Sequence, residues 1–331
     1  MEKKETVHSA MVSLEAGKEY RIVVHAIQWH PNGILRIGYE SEKTTKEKIA
    51  AKYMQTRRLA EQSDLVILSV GFNNETESEG ADRTFKLPEK QESLIQEVLK
   101  ATKNVVVVLN AGGNVDMNGW LPQIKALIHA WYPGQEGNLA VAEILFGITN
   151  PSGKLPVSFE KRWEDNATYK SYYDDDGDKH VMFSEGIFLG YRHFDKENIE
   201  PLFPFGFGLS YTTFEYSNIQ IAKDQYKGSE PVSITLTVKN TGKVDGAEVV
   251  ELYVNDPVSS LPRPPKELKA FSKVYLKAGE RKEVKFTLNE NAFHFYNPEK
   301  KRWVVEPGDF NILIGSSSRD IRLQKKIQIS E

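Results

Sequence analysis

Two uninterrupted apolar runs, DLVILSVG at residues 64–71 and NVVVVLN at residues 104–110, constrain this chain more than any other feature. A strand covered on one face alternates apolar and polar side chains, whereas one covered on both faces can be apolar throughout. Between the runs lies EKQESLIQEVLKAT, with apolar residues at helical spacing and Pro88 at its start, where a missing N–H costs nothing. TKEKIAAKYMQTRRLAEQ before the first run and QEGNLAVAEILFG (residues 135–147) also read as helices, the latter stopped at Gly147 with Pro151 beyond. IKALIHAWY supplies a third strand. Helices alternating with buried strands imply a layered α/β domain with a parallel sheet.

The period changes near residue 215. VSITLTVKN, AEVVELYVND, KVYLKAGERKEVKFTL, RWVVEPGDFNILIGSS and RLQKKIQI alternate with period two and are separated by turn residues. Seven or so short strands in this length predict a β-sandwich. The joining stretch, PLFPFGFGLSYTTFEY, is rich in Pro, Gly and aromatics and reads as an ordered crossover. At the front, YRIVVHAI and ILRIGY, bridged by QWHPNG, read as a hairpin. Two strands alone are marginal, so the hairpin reads as the end of another sandwich. The predicted division is a β remnant at 1–40, an α/β domain at 41–200, a linker at 201–215 and an all-β sandwich at 216–331.

Composition removes several function classes. The 43 basic and 46 acidic residues leave a net charge of −3, which argues against a nucleic-acid or anionic-membrane partner. No apolar run approaches the ~18 residues of a membrane span. There is no cysteine, hence no disulfide and no thiolate metal site. The first twenty residues hold no apolar core of signal-peptide length.

The chemistry concentrates in NNETESEGADRTFKLP, which leaves the carboxyl end of the first buried run. Ligands in open α/β sheets sit at that edge. Glu75, Glu77 and Glu79, spaced by two, crowd negative charge, and crowding or partial burial raises carboxyl pKa values. A carboxylic acid still protonated near neutral pH suits a general acid. From composition alone a solvated acidic turn is the stronger reading. Other features are read as structural. YYDDDGDK lacks the spacing and closing glutamate of a calcium loop. NAGGN is not a dinucleotide fingerprint and reads as a strand-end turn. Trp120, Trp131 and Tyr132 could stack on a ligand ring but are read as core or interface. His129 and His180 have no ligand-spaced companions. Glu136 begins a helix, where a carboxylate meets the positive dipole end, and GLSYT lacks a nucleophile-elbow setting.

The stretch SDLVILSVGFNNETESEGADRTFKLPEKQESLIQEVLKATKNVVVVLNAGGNVDMNGW resembles the carboxyl-side α/β domain of glycoside hydrolase family 3, the β-glucosidase and β-xylosidase family. The likeness continues through AWYPGQEGNLAVAEILFGITNPSGKLPVSF, FLGYRHFD and PLFPFGFGLSYTTFEY. It ends in VKNTGKVDGAEVVELYVND and PPKELKAFSKVYLKAGE, similar to that family's fibronectin type III-like domain. The resemblance implies that Glu79, in the E-G-x-D-R context, is the general acid/base, with Glu77 second. Asp82 and Arg83 would organise the loop, Arg83 as a carboxylate clamp. No metal or other cofactor is implied. The substrate would be a β-linked oligosaccharide or aryl glycoside.

Retaining glycosidases need a second carboxyl group about 5–5.5 Å from the first. In the family it is an aspartate on a preceding (β/α)8 barrel, and no eightfold strand–helix pattern exists here. The front hairpin resembles the last strands of a protective-antigen-type β-sandwich inserted in some family members. The expectation is therefore a carboxyl-terminal portion, inactive without a barrel in cis or trans, with an exposed sheet edge and poor solubility. Two other readings stay open: a non-catalytic carbohydrate-binding or adhesion module, and a partner subunit of a separately encoded barrel. Relatives of this kind are often periplasmic or secreted; localisation of this chain is left open.

Overall fold

The computed structural model describes residues 10–25, 37–74, 76–80, 82–174, 177 and 179–330. The chain divides into two units, residues 1–52 and 53–331. In the first, the described parts of the predicted hairpin, residues 20–25 and 37–39, carry no strand, and residues 26–36 lie outside the described residues. Ile22, Val23, Val24 and Tyr39 are exposed there, and two isolated segments have no sheet to join. Helix α1 (Glu42–Glu61) starts at Ser41, whose Oγ accepts the Thr44 N–H at 3.1 Å, an N-cap that satisfies one orphan donor.

In the second unit, β1 (Val66–Gly71), helix α2 (Glu89–Ala101), β2 (Val105–Asn110) and β3 (Ala126–His129) form a parallel layer with strand order β1–β2–β3. Strand β2 is buried on both faces, as its unbroken apolar run predicts. Helix α2 lays Ile95, Val98 and Leu99 on the sheet, and Ala60 of α1 joins the same core. The expectation of two covered faces fails for β1. As an edge strand it buries Leu68 and Val70 but leaves Ile67 51% exposed. Helix α3 (Gly137–Leu145) ends just before Gly147, and the short α4 (Tyr191–Lys196) closes the loop-rich stretch.

The predicted sandwich is present. One sheet runs β5 (Gln225–Lys227), β13 (Asp320–Ser330), β12 (Gly308–Ser317), β7 (Gly246–Asn255) and β8 (Glu267–Leu276) in that order. The other runs β4 (Phe214–Ile221), β6 (Val232–Asn240) and β9 (Arg281–Leu288), and β10 (Phe295–Asn297) with β11 (Arg302–Val304) makes a separate ribbon. Strand β6 alternates strictly between buried and half-buried positions. Its Ile234, Leu236 and Val238 meet Val250, Leu252, Ile312 and Ile314 across the sandwich, as two packed sheets require.

Polar contacts then fasten the sandwich to the α/β layer. Asp195 of α4, 4% exposed at its side chain, receives Lys266 at 2.5 Å and Arg319 at 3.5 Å. Arg319 also donates to the Phe194 and Ile199 carbonyls at 3.0 and 2.8 Å, tying the last turn of α4 and the segment after it to the sandwich. The Tyr191 hydroxyl accepts the Leu268 N–H at 2.8 Å. Lys154 bridges Glu248 and the Ser316 carbonyl, both at 3.1 Å. The motifs FLGYRHFD and PPKELKAF thus read as two halves of one junction.

Beside that junction Glu251 is buried and receives the Tyr253 hydroxyl. Burial pushes its carboxyl up to about 7, against the Tyr253 hydrogen bond and the Lys154 charge. The folded state therefore holds this proton more tightly than the unfolded chain. Its contribution to stability is fully present below pH ~4.5 and is lost as pH rises through about 7, a loss of order ~3 kcal/mol. Glu251→Gln is expected to leave unfolding unchanged near pH 4.5 and to raise stability at pH 8. Urea melts at both pH values check this, and an equal effect at both would refute it.

Candidate active site

The carboxyl ends of β1, β2 and β3 each release a loop, and the three loops meet at Glu77. Its carboxylate accepts the Tyr132 hydroxyl at 2.5 Å, from the loop after β3. It also accepts the Gly112 N–H at 3.3 Å, from the turn after β2, and lies 3.3 Å from the Arg83 Nε. Only glycine permits this approach: a Cβ at residue 112 would stand 2.4 Å from Glu77 Oε1. Arg83 is itself fixed. It donates to the Asn114 carbonyl at 2.7 Å and to the Thr84 carbonyl at 3.1 Å, and its guanidinium lies 4.7 Å from the Phe72 ring centroid. Asn114 is in turn anchored by two bonds to Glu160, at 2.8 and 3.2 Å.

This geometry reverses the expectation drawn from charge crowding. Partial burial pushes the Glu77 carboxyl up, but the Tyr132 hydroxyl, the Gly112 N–H and Arg83 together overcome it and hold the carboxyl below its usual range. Burial, with the same pairing, pushes the Tyr132 phenol up to about 12. Glu77 is thus a fixed anion and Tyr132 a fixed donor. Glu79 lies two residues on, with its side chain exposed and no hydrogen bond or ion pair among the described residues. Asp82 accepts the Tyr172 hydroxyl at 2.9 Å, which ties the acidic loop to the next one. Glu75 lies outside the described residues.

Two residues of this cluster, Gly112 and Tyr132, carry no sign of their role in the sequence. NAGGN is a strand-end turn, as expected, yet Gly112 puts an N–H on Glu77 and the Gly113 carbonyl meets His129 Nε2 at 3.2 Å. Tyr132 is half-exposed and aimed at Glu77, whereas Trp120 is buried and Trp131 packs on His129 at 4.4 Å between centroids. Trp131 takes a left-handed backbone, φ 55°, which turns the chain after β3 and delivers Tyr132. Burial lowers the His129 pKa despite the Gly113 carbonyl, so a neutral imidazole remains here, without metal-ligand companions among the described residues. In the other acidic loop, Asp174 accepts the Gly177 and Lys179 N–H groups, each at 2.9 Å; the remaining three aspartates lie outside the described residues.

The loop is held at its root by Gln91. Its amide donates to the Gly71 carbonyl and accepts the Gly71 N–H, both at 2.7 Å. These bonds join α2 to the last residue of β1. Gln91→Ala would leave both backbone groups unpaired at a half-buried site, an expected loss of about 1–3 kcal/mol in chemical denaturation. A loss below ~0.5 kcal/mol would show that water replaces both bonds.

Comparison with known proteins agrees with this architecture. The sequence profile of the glycosyl hydrolase family 3 C-terminal domain matches residues 9–211, and that of the fibronectin type III-like domain matches residues 248–318. Thermostable beta-glucosidase B of Acetivibrio thermocellus is 45% identical over 277 residues, 83% of this chain and 36% of that protein. A probable beta-glucosidase I of Aspergillus terreus is 37% identical over 93% of this chain and 38% of its own length. Among solved structures, the family 3 beta-glucosidase of Bifidobacterium adolescentis superposes with a TM-score of 0.80 at 37% identity, over 85% of this chain and 41% of that one. That of Kluyveromyces marxianus in complex with glucose gives 0.79 at 37%, over 85% and 34%. The chain thus spans well under half the length of these relatives. A profile covering most of the chain, a second covering the middle of the sandwich and the shared fold together place it: this protein belongs to glycoside hydrolase family 3 and comprises that family's carboxyl-terminal α/β domain and its fibronectin type III-like domain.

Proposed function

We propose that this chain supplies the general acid/base of an exo-acting, retaining β-glycosidase, of β-glucosidase type first and β-xylosidase type second. The observation that carries the reading is the division of labour in the acidic loop. Glu77 is pinned as an anion by groups from three loops, while Glu79 stands exposed beside it. Glu77 and Arg83 position the loop, and Glu79 is the carboxyl group left to exchange a proton with substrate.

The chemistry follows from that placement. Glu79 protonates the glycosidic oxygen as the bond to the anomeric carbon breaks, so the leaving group departs as a neutral alcohol. The sugar is taken by a carboxylate nucleophile as a glycosyl ester. Glu79, now ionised, removes a proton from the water that releases the sugar. Retention needs the nucleophile about 5–5.5 Å from Glu79, and the resemblance assigns it to an aspartate of a (β/α)8 barrel. No such barrel is formed by the described residues. A barrel joined in cis or docked in trans is therefore part of the proposal, and the whole site would bind a β-linked oligosaccharide or aryl glycoside.

Two preparations test it. The purified chain is expected to show no turnover of nitrophenyl β-glucoside or β-xyloside. A chimera in which this chain replaces the matching segment of the Acetivibrio thermocellus relative is expected to be active. Turnover by the chain alone, abolished in Glu79→Gln, would put the nucleophile within these 331 residues and end the half-site reading. A folded but inactive chimera would favour a non-catalytic carbohydrate-binding or adhesion module.

A further inference from the structure

A groove on the sandwich is built like a sugar-binding surface. It encloses about 590 Å³, within the ~300–1,000 Å³ common for small-molecule sites. One side is the β10–β11 ribbon, where Tyr296 pairs directly opposite Trp303. Strand alternation turns Phe295 and Asn297 inward and presents Tyr296 and Trp303 outward, 49% and 65% exposed. The two rings stand 5.8 Å apart at 71°. A cross-strand aromatic pair stabilises such a ribbon, which explains the pairing but not the uncovered indole.

The platform is rigid. Buried Arg263 holds Asp256 at 2.9 Å and Glu267 at 2.7 Å, and its guanidinium lies 5.4 Å from the Phe295 ring centroid beneath the ribbon. Of the polar lining, Arg263, Glu267 and Lys269 pair with one another, whereas among the described residues the side chains of Arg192, Asn291 and His294 make no hydrogen bond or ion pair. They come from different parts of the chain, Arg192 from α4 and the others from the segment leading into β10.

We propose that this groove binds a β-linked oligosaccharide chain, one pyranose ring stacked on Trp303 and its hydroxyls bound by Arg192, Asn291 and His294. The choice of sugar class rests on the glycosidase reading. A pyranose fits because its C–H face is apolar while its rim carries hydroxyls that both donate and accept. Arg192 donates, the Asn291 amide does both, and His294 does either according to tautomer. A protein partner would ask for a continuous apolar face, and here the apolar lining, Ile187, Leu261 and the two rings, is interrupted by Arg192, Glu267 and Lys269.

Calorimetric titration of the chain with cellopentaose and with xylopentaose tests this, using the wild type, Trp303→Ala, Trp303→Phe and Glu79→Gln. Binding of at least one sugar is expected, weakened about tenfold or more by Trp303→Ala, largely kept by Trp303→Phe and unaltered by Glu79→Gln. Should Trp303→Ala lower the Tm, Arg192→Ala examines the same groove from another element and is expected to weaken binding without that loss. Absence of binding to either sugar, binding indifferent to both Trp303→Ala and Arg192→Ala, or binding abolished by Glu79→Gln instead would overturn the proposal. So would a dimer, seen by sedimentation, that Trp303→Ala dissociates in place of any sugar effect. Binding is read without turnover, so the two readings fail separately. Trp303-dependent binding with an inactive chimera sinks the glycosidase reading, and an active chimera without groove binding sinks only the groove.

Discussion

Glu79→Gln in the chimera is expected to lower kcat/KM for an alkyl β-glucoside by about 10²–10⁴-fold, the usual worth of a positioned general acid or base. That is ~3–5 kcal/mol of transition-state stabilisation. The leaving group decides how the loss is distributed. An alkoxide cannot depart without its proton, so the first step suffers fully. A dinitrophenolate leaves unaided, so with that substrate the defect falls on release of the sugar, where the proposal makes Glu79 the base. Azide needs no base and should restore that second step, giving a glycosyl azide of retained configuration. Glu77→Gln is expected to behave differently. It removes the charge facing Arg83 and one partner of Tyr132, so it loosens the loop and lowers the rate for all leaving groups alike, without azide rescue. If Glu77→Gln instead shows the leaving-group dependence and the rescue, the two glutamates exchange roles.

Gly206→Ala is the substitution expected to cost most in stability. Gly206 has φ +81°, and a Cβ there would stand 2.3 and 2.6 Å from the Glu251 carboxylate oxygens. The left-handed backbone alone costs an alanine about 1–2 kcal/mol. The clash adds the ~1–3 kcal/mol typical of overpacking, because Glu251 is buried and held by Tyr253 and has little room to turn away. A total loss of about 2–5 kcal/mol is expected, enough to lower Tm by roughly 5–10 °C in a protein of this size. The double variant Gly206→Ala with Glu251→Ala should recover the clash but not the backbone strain, so the two changes should be non-additive by 1 kcal/mol or more, on the order seen for touching residues. Strict additivity in thermal or urea melts would show that the carboxylate rotates away freely.

Much of this was legible from residue order because it depends on local period. The unbroken run of β2, the alternation of β6, the helical spacing of α2 and its Pro88 boundary each follow from side chains a few positions apart. β1 misled because an apolar run shows that a strand can be covered twice, not that it is; at the sheet edge Ile67 is exposed. Of the front hairpin only the flanks are described, and residues 26–36 lie outside the described residues. Its alternation suits a strand, but the described parts of it have no ladder to join.

For the candidate site, sequence placed the acidic loop on the carboxyl edge of a parallel strand and singled out Glu77, Glu79, Asp82 and Arg83. It could not supply Tyr132 and Gly112, which lie 55 and 35 residues from Glu77. Only parallel pairing of β1, β2 and β3 brings the three loops to one edge. Nor could it give the sign of the Glu77 shift. Crowded glutamates raise one another's pKa when nothing else is near, and here a hydroxyl, an N–H and a guanidinium are nearer. Residue order by itself determined which segments are strands and helices, which domain types they build and which loop carries the carboxylates, since those depend on neighbours in the chain. Tertiary structure alone decided which carboxylate is pinned and which is exposed, and it joined Asp195 to Lys266 and Arg319, because hydrogen bonds and charge pairs are set by distance in space.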